Sequence, residues 1–169
     1  MVSNTGTYLD CPFHRYHDGK DLSEIALEKL VEIPGTLVNI PYTQKLEITV
    51  SDLQGVAVKD RDILINTGWS THWGTDQYFE NHPFLTEDAA IWLRDHGAKI
   101  VGIDSHNIDN TSHNTRPVHT TLLGAEILIV EHLCNLKAIP DKEFTFSAIP
   151  PKFKGVGTFP VRALVTIKG

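Results

Sequence analysis

This sequence of 169 residues has few of the features that mark several large classes of protein. Its two cysteines, Cys11 and Cys134, lack a CxxC spacing and suggest no disulfide framework, so we expect a reducing, cytoplasmic location. No apolar run approaches the roughly 20 residues of a membrane-spanning helix, and the opening MVSNTGTYLD lacks the basic start and apolar stretch of a signal peptide. We therefore expect no membrane partner.

Basic clusters are also missing. The formal net charge is −6, and no group of Lys or Arg exceeds two adjacent residues, which argues against nucleic acid as a partner. The overall composition, with 41% hydrophobic and 21% charged residues, is typical of a globular protein. A chain of this length fits one domain, residues 1–169, with a sizeable core.

The sequence pattern predicts mixed secondary structure. The capping-box spacing of DLSE (21–24) predicts a short helix that stops before Pro34, and Thr86 followed by two acids predicts a helix through His96, ended by Gly97. Apolar and β-branched runs predict strands at 36–40, 46–50, 62–66, 99–103, 126–133, 144–150 and 161–167. Strands outnumber the few, separated helices, which favours an α+β domain with a barrel-like or layered sheet over a doubly wound parallel sheet.

The stretch SNTGTYLDCPFHRYHDGKDL (3–22) is the first candidate site, because it holds Asp10, His14 and His17 within eight positions. Pro12 fixes the local backbone, so Asp10 and His14 would keep one orientation at little entropic cost. This favours an oxygen ligand beside a general base or a second ligand. The alternative is a structural turn, in which Asp10 accepts backbone N–H groups and His14 is solvated.

Residues 113–132 contain a second candidate group, with His119 after Arg116-Pro117 and Glu131 at the end of the apolar run ILIV. A lone buried charge is costly, so Glu131 is expected at solvent, in a pocket or on a partner. VGIDSHNID (101–109) carries a buried strand into two acids and a histidine, and it predicts a pocket rim.

Three tryptophans complete the candidates. Trp69, Trp73 and Trp92 are expected in the core or an interface, although the loop GWSTHWG (68–74), which holds the first two, could also wall a pocket.

The opening stretch resembles the signature of the cyclase family of metal-dependent hydrolases, which includes bacterial kynurenine formamidases and isatin hydrolases. That motif runs His-x-Gly-Thr-His-x-Asp-x-Pro-x-His, and this chain has Asn-Thr-Gly-Thr-Tyr-Leu-Asp-Cys-Pro-Phe-His from Asn4 to His14. The likeness continues in order through nearly the whole chain, in NTGWS, YFENHPFLTEDAAIWL, VGIDSHNID, RPVHTTLLG, IVEHL and PPKFKGVGTFPVRA. It implies a swivelling β/β/α-type domain with a barrel-like mixed sheet, here without the family's usual N-terminal segment, and a homodimer or homotetramer.

The resemblance also implies a divalent metal, zinc or manganese. Asp10, His119 and Glu131 match family positions that take part in the metal site. Asn4 and Tyr8 stand where the family has two histidine ligands, which removes two good neutral donors. A site rebuilt around the remaining ligands is one expectation, and a site without metal is the other.

By the same resemblance, His14 matches the motif's last histidine, which acts as general acid/base or lines a second metal. Tyr8 is a candidate donor to a developing oxyanion in a metal-free reaction with His14 as the base. The remaining candidates, expected to bind substrate, are Asn4, Thr7, His17 and Trp69.

The predicted function is hydrolysis of a C–N bond in a small amide, lactam or N-formyl (arylformamidase-like) compound by metal-activated water. The alternative is a non-catalytic member that binds a small molecule or regulates, having lost the family's metal site. Both predict a small-molecule partner.

Overall fold

The computed structural model describes residues 4–167 and is dominated by one mixed β-sheet. Its strands, in chain order, are β1 (Tyr8–Asp10), β2 (Ile33–Asn39), β3 (Glu47–Ile48), β4 (Asp62–Asn66), β5 (Phe84–Leu85), β6 (Ile100–Ile103), β7 (Leu128–Glu131), β8 (Phe144–Ala148), β9 (Thr158–Pro160) and β10 (Ala163–Ile167). The short strands β3 and β5 form a separate parallel pair, and the other eight share the order β10-β8-β2-β4-β6-β7-β1-β9. The helices are α1 (Val50–Leu53), α2 (Glu87–Asp95) and α3 (Pro117–Gly124).

The centre of the sheet is parallel and its flanks are antiparallel. Strands β2, β4, β6 and β7 run parallel, while β8 and β1 pair antiparallel on either side. Parallel strands are usually covered on both faces, and the apolar runs of β4, β6 and β7 are buried along nearly their whole length.

The sheet curls towards closure. Strands β9 and β10 lie at opposite ends of the strand order, yet only residues 161 and 162 separate them along the chain. A residue spans at most about 3.6 Å, so two connecting residues hold the two edges close together. Phe159 of β9 and Val165 of β10 also pack against the same interior cluster. The expected barrel-like mixed sheet of an α+β domain is confirmed.

Each face of the curled sheet carries its own hydrophobic core. The inner face packs alternate strand residues, such as Leu64 and Val130, against Phe146 and the segment around Leu22. The outer face packs the intervening residues against the helices, and its members include Ile65, Val101, Ile129, Leu93 and Leu122. Because side chains alternate along a strand, neighbouring residues of β7 serve different cores. Within residues 4–167 no helix has the length and apolar character that crossing a membrane requires.

Several sequence predictions are confirmed closely. Strand 62–66 has the predicted bounds, and the helix predicted at Thr86 is α2, whose N-cap Thr86 accepts the backbone N–H of Ala89 at 3.3 Å. The strand predicted at 46–50 forms only in part, because β3 ends at Ile48 and α1 begins two residues later. The side chain of Asp52 accepts the Thr49 N–H at 2.8 Å, so a capping box starts a helix inside the predicted strand.

The helix predicted after Asp21 is wrong. The Glu24 carboxylate does accept the Asp21 N–H at 3.0 Å, as a capping box requires. The backbone N–H of Leu22, however, donates to the distant carbonyl of Val156 at 3.0 Å, and only a 3-10 turn forms, at Leu27–Lys29. Pairing with a remote segment replaces the helix here.

Candidate active site

Strand pairing brings the candidate acids onto one face of the sheet. In the antiparallel pair β1–β7, Tyr8 lies opposite Glu131 and Asp10 lies opposite Ile129. Residues two apart on a strand point the same way, so Tyr8, Asp10 and Glu131 all face the side on which Ile129 packs. That side is the outer core, which α3 covers.

Helix α3 places His119 over these acids. Asp109 accepts the backbone N–H groups of His119, at 3.0 Å, and of the preceding residue, at 2.8 Å, and its Oδ2 lies 2.6 Å from His119 Nδ1. The other ring nitrogen, Nε2, lies 3.5 Å from Asp10 Oδ2 and 3.7 Å from Glu131 Oε1. A carboxylate that accepts the Nδ1–H in this way leaves Nε2 as the ligand atom, which is the usual arrangement of metal-binding histidines.

Two hydrogen bonds fix the carboxylate of Glu131, which is fully buried. The Tyr8 hydroxyl donates to Oε2, and the backbone N–H of Ile108 donates to Oε1 at 2.6 Å. Glu131 therefore ends its strand in an enclosed site and not at the surface. Tyr8 therefore contacts the Glu131 carboxylate directly.

Asp10 has the least satisfied carboxylate of the group. The side chain is fully buried, and neither oxygen has a hydrogen-bond partner among the described residues. Two imidazole nitrogens lie beside it, His119 Nε2 at 3.5 Å and His14 Nδ1 at 3.6 Å. The His14 side chain is 38% exposed and lies on the 3-10 turn Pro12–His14. Ligand atoms of Asp10, His14 and His119 all lie within 4.8 Å of one another, an arrangement that could hold a metal ion.

Burial and the neighbouring charges shift the pKa values of three groups in this site. Burial raises the pKa of Glu131 from its ordinary value to about 7, and the charge of Asp10 adds to that effect. Burial disfavours the charged form of His119, but the neighbouring carboxylates of Asp10, Asp109 and Glu131 outweigh burial and raise its pKa to about 10. Burial, with the charges of Glu131 and Asp10, raises the pKa of Tyr8 above its ordinary value, so the phenol stays protonated and acts as a donor.

A cavity of about 380 Å³ adjoins this group. It is lined by Gly6, Thr7, Ser70, Trp73, Tyr78, His132, Leu133 and Cys134. Two of these residues, Thr7 and His132, are the chain neighbours of Tyr8 and Glu131. Burial lowers the pKa of His132 to about 4, so its imidazole is neutral near pH 7.

The structure brings together five of the residues that the sequence singled out: Tyr8, Asp10, His14, His119 and Glu131. The residues predicted to bind substrate are placed differently. Thr7 lines the cavity, and its hydroxyl donates to the His132 carbonyl at 2.7 Å. Asn4 and His17 are exposed, with the His17 ring 6.2 Å from that of Phe13, and their roles stay predictions.

The prediction that Trp69 contacts substrate needs correction. Its side chain is only 3% exposed, and its indole N–H donates to the Tyr78 carbonyl at 3.0 Å. The buried Trp69 side chain therefore stabilises the loop and does not line the cavity. Trp73, which is 57% exposed and lines the cavity, is the tryptophan of this loop that a ligand could reach.

Sequence reasoning missed three contributors to the site. The sequence places Asp109 only on the pocket rim at 101–109, without a specific role. Tyr78 and His132 carried no signal, since nothing in the chain indicates that YFENH (78–82) and the residue after Glu131 meet. Asp104 of the same rim has a structural task, because it accepts the backbone N–H groups of Thr67 at 2.9 Å and Gly68 at 2.8 Å.

Comparison with known proteins gives a consistent result. The Cyclase family model, described as "Putative cyclase", matches residues 1–110. A kynurenine formamidase of Geobacillus thermodenitrificans (strain NG80-2) is 28% identical over 172 residues, covering 100% of this chain and 78% of that protein. A kynurenine formamidase of Bacillus cereus is 27% identical over 168 residues, covering 98% of this chain and 77% of that protein.

Solved structures agree with these sequence matches. A potential metal-dependent hydrolase with cyclase activity superposes with a TM-score of 0.85 at 30% identity, over 98% of this chain and 79% of that one. Isatin hydrolase A of Ralstonia solanacearum superposes with a TM-score of 0.88 at 24% identity, over 98% and 73% of the two chains. At that identity the second likeness concerns the fold alone.

Proposed function

Because this chain belongs to the cyclase family, we propose that it is a metal-dependent hydrolase that cleaves the C–N bond of a small amide, lactam or N-formyl compound. The carboxylate of Asp10 carries this proposal. It is fully buried, neither of its oxygens has a hydrogen-bond partner among residues 4–167, and it lies beside two imidazoles. A buried carboxylate without donors is costly, and a bound cation removes that cost.

The donor set fits a divalent ion. Asp10, His14 and His119 would hold it, with Glu131 as an adjacent fourth candidate. Two imidazoles and a carboxylate suit zinc, and the nearby second carboxylate also suits manganese. An ion bound there would supply an activated water molecule and polarise the substrate carbonyl. Tyr8 and Asn4, which replace two histidines of the family motif, are not needed for this set.

The contacts of Asp109, Glu131 and His14 indicate the role of each residue. Asp109 holds the ring of His119 so that Nε2 faces Asp10. Glu131, held by Tyr8 and a backbone N–H, is positioned to take the proton of the attacking water and to return it to the leaving nitrogen. His14 then acts as a ligand, which is one of the two roles expected from the motif, general acid/base or metal binding.

The related proteins support the substrate class. Two relatives are named kynurenine formamidase, a name that denotes action on a formamide, and an isatin hydrolase shares the fold. For this chain we propose only the substrate feature that these relatives suggest, a small amide-type carbonyl that binds beside the metal. A cytoplasmic location and a homo-oligomer are part of the same proposal.

Metal content tests the proposal. The purified chain is incubated with zinc, manganese or magnesium, desalted exhaustively and analysed by mass spectrometry, beside Asp10→Asn and Asp62→Asn. Asp62 is a matched control, because it is a second fully buried aspartate, in β4, away from the imidazoles. We expect about one ion per chain in the wild type and in Asp62→Asn, and loss of the ion in Asp10→Asn. Retention of no metal by the wild type would contradict the proposal.

A further inference from the structure

The two imidazoles of the proposed metal site come from different elements. His14 lies on the 3-10 turn that follows β1, and His119 lies on α3, with their ring centroids 5.7 Å apart. Bonds between zinc and an imidazole nitrogen are about 2.0–2.1 Å long and vary by only about 0.2 Å. A small shift of the turn against α3 would therefore take one imidazole out of reach. Contacts between these two elements decide whether both imidazoles can bind one ion.

Tyr16 joins the turn to the helix. Its backbone N–H donates to the carbonyl of Pro12 at 2.9 Å, which ties it to the turn that holds His14. Its hydroxyl donates to the carbonyl of Thr120 at 2.8 Å, and Thr120 is the residue directly after His119. The ring between these two bonds is rigid and half-buried, and it packs against the outer core. Tyr16 thus spans the distance from one imidazole-bearing segment to the other.

Arg15 makes a parallel contact. Its Nε donates to the Thr120 hydroxyl at 3.0 Å, and that hydroxyl donates to the Arg116 carbonyl at 2.7 Å. The Arg15 bond is exposed, so water competes for its donor and acceptor and its net contribution is small. The half-buried bond of Tyr16 is therefore the contact that holds the turn at a fixed distance from α3.

The end of α3 leaves room for the Tyr16 hydroxyl at Gly124. A Cβ at this position would lie 2.8 Å from the phenol oxygen and 3.3 Å from the ring carbon that carries it. Glycine is a poorer helix residue than alanine, so the helix alone does not favour it here. The close approach of the phenol accounts for a residue that the helix itself does not favour.

We propose that Tyr16 is a positioning residue of the metal site, because its hydrogen bond to α3 sets the separation of His14 and His119. Gly124 admits the hydroxyl that makes this bond. Tyr16 acts through the two histidines and does not itself bind the ion or the substrate. The inference rests on the proposed function, since it concerns the ligands of the same ion. It predicts that a phenol outside the ligand set controls both metal affinity and ligand geometry.

Three variants test this role. Tyr16→Phe removes the hydroxyl and keeps the ring. Gly124→Ala keeps Tyr16 but puts a Cβ 2.8 Å from its hydroxyl, while alanine itself favours the helix. The control is Tyr42→Phe, since Tyr42 is also half-buried and its ring lies edge-on to that of Trp69, with centroids 5.1 Å apart, outside the site.

Each chain is examined with two ions. Zinc affinity is measured by competition with a chromophoric chelator. Cobalt(II) takes the place of zinc in a second sample, because its visible absorption reports the number and geometry of its ligands. Formate release from formanilide is recorded for the zinc form, so that metal binding and hydrolysis are read separately.

We expect Tyr16→Phe to bind zinc roughly threefold to tenfold more weakly than the wild type, the worth of one hydrogen bond, and to show shifted cobalt bands. Gly124→Ala should change in the same direction although its melting temperature stays within a few degrees of the wild type. Tyr42→Phe should match the wild type in both measurements.

Two results for Tyr16→Phe would overturn the proposal: a zinc affinity within about twofold of the wild type, or an unchanged cobalt spectrum. Weaker zinc binding and shifted cobalt bands, beside a wild type that binds zinc and hydrolyses no formanilide, would uphold the role of Tyr16 and count against the proposed function. A wild type that binds neither ion would overturn both.

Discussion

Asp109→Asn should weaken both metal binding and the fold. The Asp109 carboxylate accepts three N–H groups, two from the α3 backbone and one from His119 Nδ1 at 2.6 Å. The amide of asparagine has one oxygen and one NH2 group. Wherever it turns, an NH2 group opposes at least one N–H donor, and His119 loses a charged acceptor.

The size of the effect follows from the position of His119. Replacing the carboxylate that orients a ligating histidine costs about tenfold to a hundredfold in metal affinity. This equals about 1.4 to 2.8 kcal/mol of binding free energy. One donor–donor contact in the α3 N-terminus should cost the fold about 1 to 3 kcal/mol. Both changes are measurable.

The assay is competition for zinc or manganese with a chromophoric chelator, beside urea unfolding. The control is Asp104→Asn, because Asp104 accepts two backbone N–H groups and a hydroxyl in a similar way without contact to His119. Asp104→Asn should lose stability and keep its metal affinity. Metal affinity of Asp109→Asn within twofold of the wild type would refute the role of Asp109 in orienting His119.

Three further predictions concern single side chains. Tyr8→Phe removes the donor to Glu131 and should lower kcat by about tenfold to a hundredfold with little change in KM; unchanged kcat would mean that the phenol has no part in placing that base. Burial raises the pKa of Asp62 to about 8, so the folded chain keeps a proton that the unfolded chain releases, and unfolding free energy should fall by at most about 1.4 kcal/mol per pH unit between pH 4 and 8. Urea unfolding of Asp62→Asn should show a flatter dependence, and equal slopes would contradict this. Gly35→Ala would put its Cβ 2.0 Å from the ring of Phe144 and should cost about 1–3 kcal/mol, which a melting curve that matches the wild type would disprove.

Local patterns predicted those elements whose stability is local. The strand 62–66 is an apolar run buried on both sides, and α2 has its own N-cap at Thr86 and a glycine after its end. The segment after Asp21 has an equally good capping box, but the N–H of Leu22 donates to the carbonyl of Val156, more than 130 residues away. Tertiary pairing of that kind leaves no trace in the local sequence. Helix α3 was missed as well, since the β-branched run PVHTT favours strand over helix by propensity.

The site was predicted in part for the same reason. Asp10 and His14 are four residues apart, so one turn brings them together, and the resemblance to the family motif supplied His119 and Glu131. More than 100 residues separate Asp10 and His14 from His119 and Glu131. The β1–β7 pairing brings Glu131 to the site, and the local sequence does not indicate that pairing. His132 was passed over because its signal, a positive φ beside an aromatic cavity, exists only in three dimensions.

Formate release from formanilide tests the central claim most directly. The wild type, Asp62→Asn and Asp10→Asn are loaded with zinc or manganese, desalted and assayed at equal concentration. We predict that the wild type and Asp62→Asn release formate at similar rates per chain. Asp10→Asn should be slower by more than about a hundredfold, because stabilisation by the metal is worth several kcal/mol. Equal rates for Asp10→Asn and the wild type would contradict an active site built on Asp10, His14 and His119.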